Sequence, residues 1–117
     1  MEIEPYRQTA QRRLTFFDRD RQQRIAKAWA LARKAADLLR ERFAAQRVSV
    51  FGSLLHPEYF HMRSDVDLAV WGLDEGDYLH AVAAVTGLDK EISVDLIAVE
   101  EASESLCDLI RAEGSSL

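Results

Sequence analysis

Ser64-Asp65-Val66-Asp67-Leu68-Ala69-Val70-Trp71 alternates polar and apolar residues at its start and then turns apolar. That is the pattern of a strand whose interior lies beneath a helical layer. Residues i and i+2 of a strand share a face, so Asp65 and Asp67 are expected to reach one site while Val66 points into the core.

Upstream, Val48-Ser49-Val50-Phe51 is a short β-prone run that Gly52 ends. Downstream, Ile92 to Val99 supplies a third strand, in which Asp95 interrupts an apolar run between Val94 and Leu96. Helices are expected around these strands. Asp20 with Gln23 resembles a capping box, and Ile25, Trp29, Ala32, Ala36, Leu39 and Phe43 then recur every three or four residues, predicting an amphipathic helix over about residues 20–45. Asp77 is placed to cap a second helix carrying Leu79, Val82, Ala83 and Val85, and Gly87 to end it in a left-handed turn. Ser103 precedes Leu106, Leu109 and Ile110 in a short last helix, followed by a polar tail from Glu113 to Leu117. The order helix, strand, strand, helix, strand, helix implies a two-layer α/β domain with a small mixed sheet packed against helices.

The acidic residues carry the chemistry. Bare carboxylates at Asp65 and Asp67 repel, and a divalent cation relieves that repulsion. Mg²⁺ fits because it takes carboxylate oxygens and keeps places for water and triphosphate oxygens. If the strand of Asp95 lies beside that of Asp65 and Asp67, the third carboxylate completes a site for two Mg²⁺ ions and helps deprotonate an attacking hydroxyl. Gly52 permits a tight turn, and Ser53 offers a hydroxyl and a backbone N–H to phosphate oxygens.

With 117 residues the chain is expected to be a single domain, with no room for a second, base-binding lobe. Apolar residues at 48% and charged residues at 30% are ordinary for a folded soluble protein. No apolar run is long enough to span a bilayer and the N-terminus lacks a secretory pattern, so a cytoplasmic location without membrane contact is expected. Cys107 is alone, which excludes an internal disulfide, and a buried structural thiol is expected. Net charge is -5, divided unevenly: residues 1–47 hold 12 Lys or Arg against 6 Asp or Glu, and residues 48–117 hold 3 against 14. The acidic part disfavours a nucleic-acid substrate, while the basic part can steer ATP or an acidic partner. Residues 1–18, polar with Ile3, Tyr6, Leu14, Phe16 and Phe17 as anchors, are expected to form a helix on the domain, opened by Pro5, or a partner-binding arm.

Three segments together, Val50-Phe51-Gly52-Ser53, Ser64 through Val70 and Val94-Asp95-Leu96-Ile97, resemble the motifs of minimal nucleotidyltransferases, the MNT/MntA-like antitoxins of the DNA polymerase beta-like superfamily. The likeness covers about residues 20–110 and implies the nucleotidyltransferase fold. By resemblance, Asp65, Asp67 and Asp95 are the catalytic and metal-binding residues, and Ser53 contacts the triphosphate. Gly52, Ser53, Arg63 and Ser64 are the expected nucleotide-binding set, with Mg²⁺ as cofactor and ATP as substrate. The same resemblance implies a HEPN-domain toxin as partner, AMP transfer to one of its tyrosines as the activity, and a homodimer or hetero-oligomer as the assembly. The family pattern places an Arg after Gly-Ser, where this chain reads Leu54-Leu55-His56-Pro57, so the rigid phosphate clamp is missing. His56, His61 or Arg63 is left to compensate.

Two further functions share these residues: a non-catalytic toxin-binding module of the same fold, and a transferase acting on a small cationic molecule such as an aminoglycoside. Other chemistries fit poorly. His56, His61 and His80 lack zinc-pair spacing, and no G-x-S-x-G turn presents a serine nucleophile. Trp29 and Trp71 are expected in the helix-to-sheet core. The long stretch from Gly52 to Asp65, with Pro57, Tyr59 and Phe60, is expected to be a surface insertion packed by its aromatics, or a wall of the pocket.

Overall fold

The computed structural model describes the backbone of residues 4–117 and the side chains of residues 19–117. Its elements, in chain order, are helix α1 (Glu4–Phe43), strand β1 (Arg47–Phe51), strand β2 (Val66–Trp71), helix α2 (Tyr78–Thr86), strand β3 (Val94–Ala98), helix α3 (Glu104–Glu113) and strand β4 (Ser115–Ser116). Short 3₁₀ turns at Gly52–Leu55, Pro57–Tyr59, Glu75–Asp77 and Val99–Glu101 join them.

The four strands form one mixed sheet in the order β3-β2-β1-β4. β2 is antiparallel to β1 and parallel to β3. Alternation along each strand decides which side chains face which helices. Val48 and Val50, then Val66, Leu68 and Val70, then Val94 and Leu96 all join the main core. There they meet Ala28, Leu31, Ala32, Ala35, Ala36 and Leu39 of α1 and Ala81 and Val85 of α2. The alanines keep α1 slim on this face and let it sit close to the sheet. The opposite face is covered in part by α3, whose Ile110 packs on Phe51 and Ala69.

Four sequence expectations are corrected. Asp20 is not a cap: it lies within the 40-residue α1. Neither Gly nor Pro interrupts residues 6–43, and the Gln, Arg and Ala before Asp20 favour helix, so nothing starts a new one there. The anticipated binding role of residues 1–18 falls outside the described side chains. Gly87 ends α2 at φ -80 rather than in a left-handed turn, with its N–H bonded to the Ala83 carbonyl at 3.2 Å. Asp77 precedes α2 but makes no capping bond. Asp74 accepts from the Gly76 N–H instead, at 3.0 Å, because a 3₁₀ turn intervenes before the helix. The tail is also not merely polar, since Ser115 and Ser116 pair with Val50 and Ser49 of β1 and the Leu117 N–H bonds the Val48 carbonyl at 2.9 Å.

Trp29 packs against the main core, but Trp71 does not. Its odd place in β2 turns it to the α3 face, where the Arg47 guanidinium lies 4.6 Å from its ring centre. Ser103 caps α3 as expected, accepting from the Leu106 N–H at 3.2 Å. Cys107 is half-buried, its Sγ 3.5 Å from the Val99 carbonyl oxygen.

Candidate active site

β1 ends at Phe51, and Gly52 follows at φ +78, a conformation that favours glycine. A Cβ at Gly52 would overlap the Asp67 carboxylate. The turn therefore lies directly on that side chain. From Gly52 the chain winds through two 3₁₀ turns held by Leu54 and Phe60, both 1% exposed and both part of the main core. Of the aromatics expected to pack the long insertion only Phe60 does so, joined by Leu54, while Tyr59 is exposed.

The insertion closes in a hydrogen-bonded turn. Ser64 Oγ accepts from the His61 N–H at 3.0 Å, the Ser64 N–H donates to the His61 carbonyl at 3.0 Å, and the Arg63 N–H donates to His61 Nδ1 at 3.1 Å. Ser64 is buried, and Asp65 emerges exposed just ahead of β2. The Val66 N–H then bonds the Ser93 carbonyl at 2.9 Å and locks the start of β2 to the segment entering β3.

This pairing sets the acidic geometry. Asp67 stands opposite Phe51 on one side and opposite Asp95 on the other. Parallel neighbours in register lie about 4.8 Å apart with side chains on one face, so Asp67 and Asp95 are adjacent carboxylates. They share the face that α3 covers in part, away from the main core. Partial burial, then the negative charges of Asp95 and Asp65, push the Asp67 pKa up to about 6. Among the described residues no cation pairs with Asp65, Asp67 or Asp95.

A divalent cation suits this donor set. The oxygens are hard, the charges repel each other, and no described residue supplies a counter-charge. Among the described residues, however, no three His, Cys, Asp or Glu side chains are gathered closely enough to hold a metal ion by themselves.

The expected nucleotide-binding residues divide. Gly52 lies against the Asp67 carboxylate and Ser53 follows it in the same turn; Ser64 spends its hydroxyl inside the turn, and Arg63 is exposed with no side-chain bond among the described residues. Sequence reasoning missed Glu113. His56, whose N–H bonds the Ser53 carbonyl at 3.0 Å, places Nε2 3.6 Å from the Glu113 carboxylate at the end of α3. No local pattern signals a contact between residues so far apart in the chain.

The family model described as polymerase beta, nucleotidyltransferase, matches residues 33–117, which includes every strand and all of the carboxylates. The chain belongs to this family. The mixed four-stranded sheet with its three helices is accordingly a nucleotidyltransferase fold. No curated protein compared with this family member matches it. Among solved structures, a toxin–antitoxin with AMP-PNP is similar at 29% identity and a TM-score of 0.60, over 73% of this chain and 70% of that one. A MntA–HpeT toxin–antitoxin mutant with two aspartates, two residues apart, changed to glutamate matches at 25% identity and TM-score 0.60, over 73% and 70%. A complex of tri-AMPylated Shewanella oneidensis HEPN toxin with MNT antitoxin matches at 26% identity and TM-score 0.56, over 76% and 70%. Within the nucleotidyltransferase family, this chain thus resembles the MntA/MNT-type antitoxins.

Proposed function

We propose that this protein is a Mg²⁺-dependent nucleotidyltransferase that moves AMP from ATP to a tyrosine of a HEPN-type toxin and thereby acts as its antitoxin. The observation that carries this reading is the pairing of Asp67 with Asp95 beneath the Gly52 turn, in a chain similar to an antitoxin complexed with an AMPylated HEPN toxin. Similarity to a toxin–antitoxin with AMP-PNP supports ATP as the donor.

In this scheme Asp65, Asp67 and Asp95 hold the cation cluster. Gly52 and Ser53 present backbone N–H groups and a hydroxyl to the triphosphate, and Arg63 and Ser64 border it. Bound Mg²⁺ would neutralise the carboxylates and the charge developing on pyrophosphate. The tyrosine oxygen attacks the α-phosphorus, a new P–O bond forms, and the bond to the leaving pyrophosphate breaks. Asp95, exposed at the cluster's edge, is the base placed to accept the phenolic proton. The protein's contribution is alignment: the carboxylates sit on paired strands, and the turn beside them is held by two buried anchors.

The test is to incubate the protein with ATP, Mg²⁺ and the HEPN-type protein encoded beside it, and to record the partner's intact mass. A gain of one or more AMP masses is expected, abolished by Asp67→Ala with the fold retained. A second reading, a non-catalytic toxin-binding module, is favoured by Leu54 and Leu55 standing where the family clamp belongs. Tight complex formation without any mass gain, unchanged by Asp67→Ala, would establish that reading and reject transfer.

A further inference from the structure

A second concave surface lies at the other end of the sheet. Two adjoining cavities, of about 600 Å³ and about 350 Å³, run along edge strand β3 between α2 and α3 and share Tyr78, Ala98 and Glu101 in their walls. Each is within the size range of ligand-binding clefts. The site carboxylates lie toward the start of β3, and Ala98 is three residues beyond Asp95, roughly 10 Å along the strand.

The groove has an apolar floor and a rim of one sign. Leu73, Ala98 and the Tyr78 ring supply apolar surface, and the Tyr78 hydroxyl is already spent on the Leu96 carbonyl at 2.6 Å. Around them stand Asp74, Glu75, Glu100 and Glu101. Among the described residues no Lys, Arg or His lines either cavity. Glu100 is held in place by accepting from the Gly72 N–H at 2.6 Å. A hydrogen bond to Glu75, together with the charges of Glu75 and Glu100, raises the Glu101 pKa. Four carboxyl groups thus line an apolar cleft with no counter-ion among the described residues.

We propose that this groove is a docking surface for a segment of a partner protein carrying Lys or Arg beside an apolar anchor. Charge complementarity selects the basic residues, because only cations relieve the rim. The floor selects the anchor: a hydrated small cation would leave Leu73 and Ala98 wet, whereas an aliphatic or aromatic side chain buries them. The surface requires neither nucleotide nor metal, so it stands or falls independently of the transfer reaction.

The experiment uses the full chain and three short fluorescein-labelled peptides: one alternating Lys with Leu, one with Ser in place of Leu, and one with Glu in place of Lys. Fluorescence anisotropy without nucleotide or metal should show the Lys-Leu peptide binding at least about tenfold more tightly than either control. The double variant Glu75→Gln with Glu101→Gln, at exposed positions that leave the core intact, should lose about tenfold in affinity with an unchanged melting temperature. Asp67→Asn should bind like the wild type. Equal binding of the Lys-Ser peptide, indifference to the glutamine changes, or loss on Asp67→Asn alone would each overturn the proposal.

Discussion

Replacing Asp67 with asparagine keeps the shape of the side chain and removes a charge that the fold holds at a cost. In the folded chain this carboxyl titrates at about 6, against 3.8 for an ordinary aspartate. That gap corresponds to roughly 3 kcal/mol as a ceiling. Asp67 is only half-buried, and solvent screening brings the expected destabilisation at neutral pH to about 1–2 kcal/mol. Between these two pH values the folded state binds more protons at Asp67 than the unfolded state does. The stability is therefore fully present below pH 3.8 and is lost as pH rises through about 6. Asp67→Asn should accordingly be more stable than the wild type at pH 7, by about 4–8 °C in melting temperature for a domain of this size, and the advantage should vanish near pH 4. Urea unfolding followed by circular dichroism in EDTA, on both proteins from pH 4 to 8, measures it. A stability difference that is flat with pH, or an asparagine variant less stable at pH 7, would refute the electrostatic account of this cluster.

Ala44, which follows α1 at φ +55, sits in the left-handed region without being glycine; Ala44→Gly should raise stability by about 0.5–1 kcal/mol in denaturant titration. Gly52→Ala meets both a left-handed φ and the Asp67 carboxylate, so it should cost about 1–3 kcal/mol and abolish nucleotide transfer even where the variant still folds. Removing the α3 cap with Ser103→Ala should cost about 1 kcal/mol, read from the thermal midpoint. Asp89 accepts backbone bonds from Glu91 and Ile92 and faces Lys27, which lowers its pKa below the ordinary value. Its stabilisation is present above pH 3.8 and fades as pH falls through the folded value, so Asp89→Ala should lower the melting temperature at pH 7 and lower it less in acid.

Much of the fold was legible because it is written in short-range patterns. The three long strands, the α2 and α3 helices and the Ser103 cap each depend on residues within a few positions of one another. The errors fell where a local signal met a stronger neighbour. Asp20 and Gln23 make a cap in isolation but lie in an unbroken run of helix formers, and Gly87 ended its helix without the left-handed turn that glycine permits. Trp71 does pack between sheet and helix, and strand parity decided that the helix is α3. β4 had no signal at all, since two serines have little strand preference and pair with β1 only because α3 delivers them to its edge.

The same division runs through the site. An aspartate inside an apolar strand, two aspartates one strand-repeat apart and a glycine after a β run mark the candidate site from composition and spacing, which belong to the chain before it folds. Their meeting does not. Asp67 comes beside Asp95 through a parallel pairing, Gly52 comes onto Asp67 through an antiparallel one, and His56 reaches Glu113 only across the finished domain. Register between distant strands is set by which side chains fill the common core, a property of all the elements at once, and so the tertiary structure alone turned three separate carboxyl groups into one electrostatic unit.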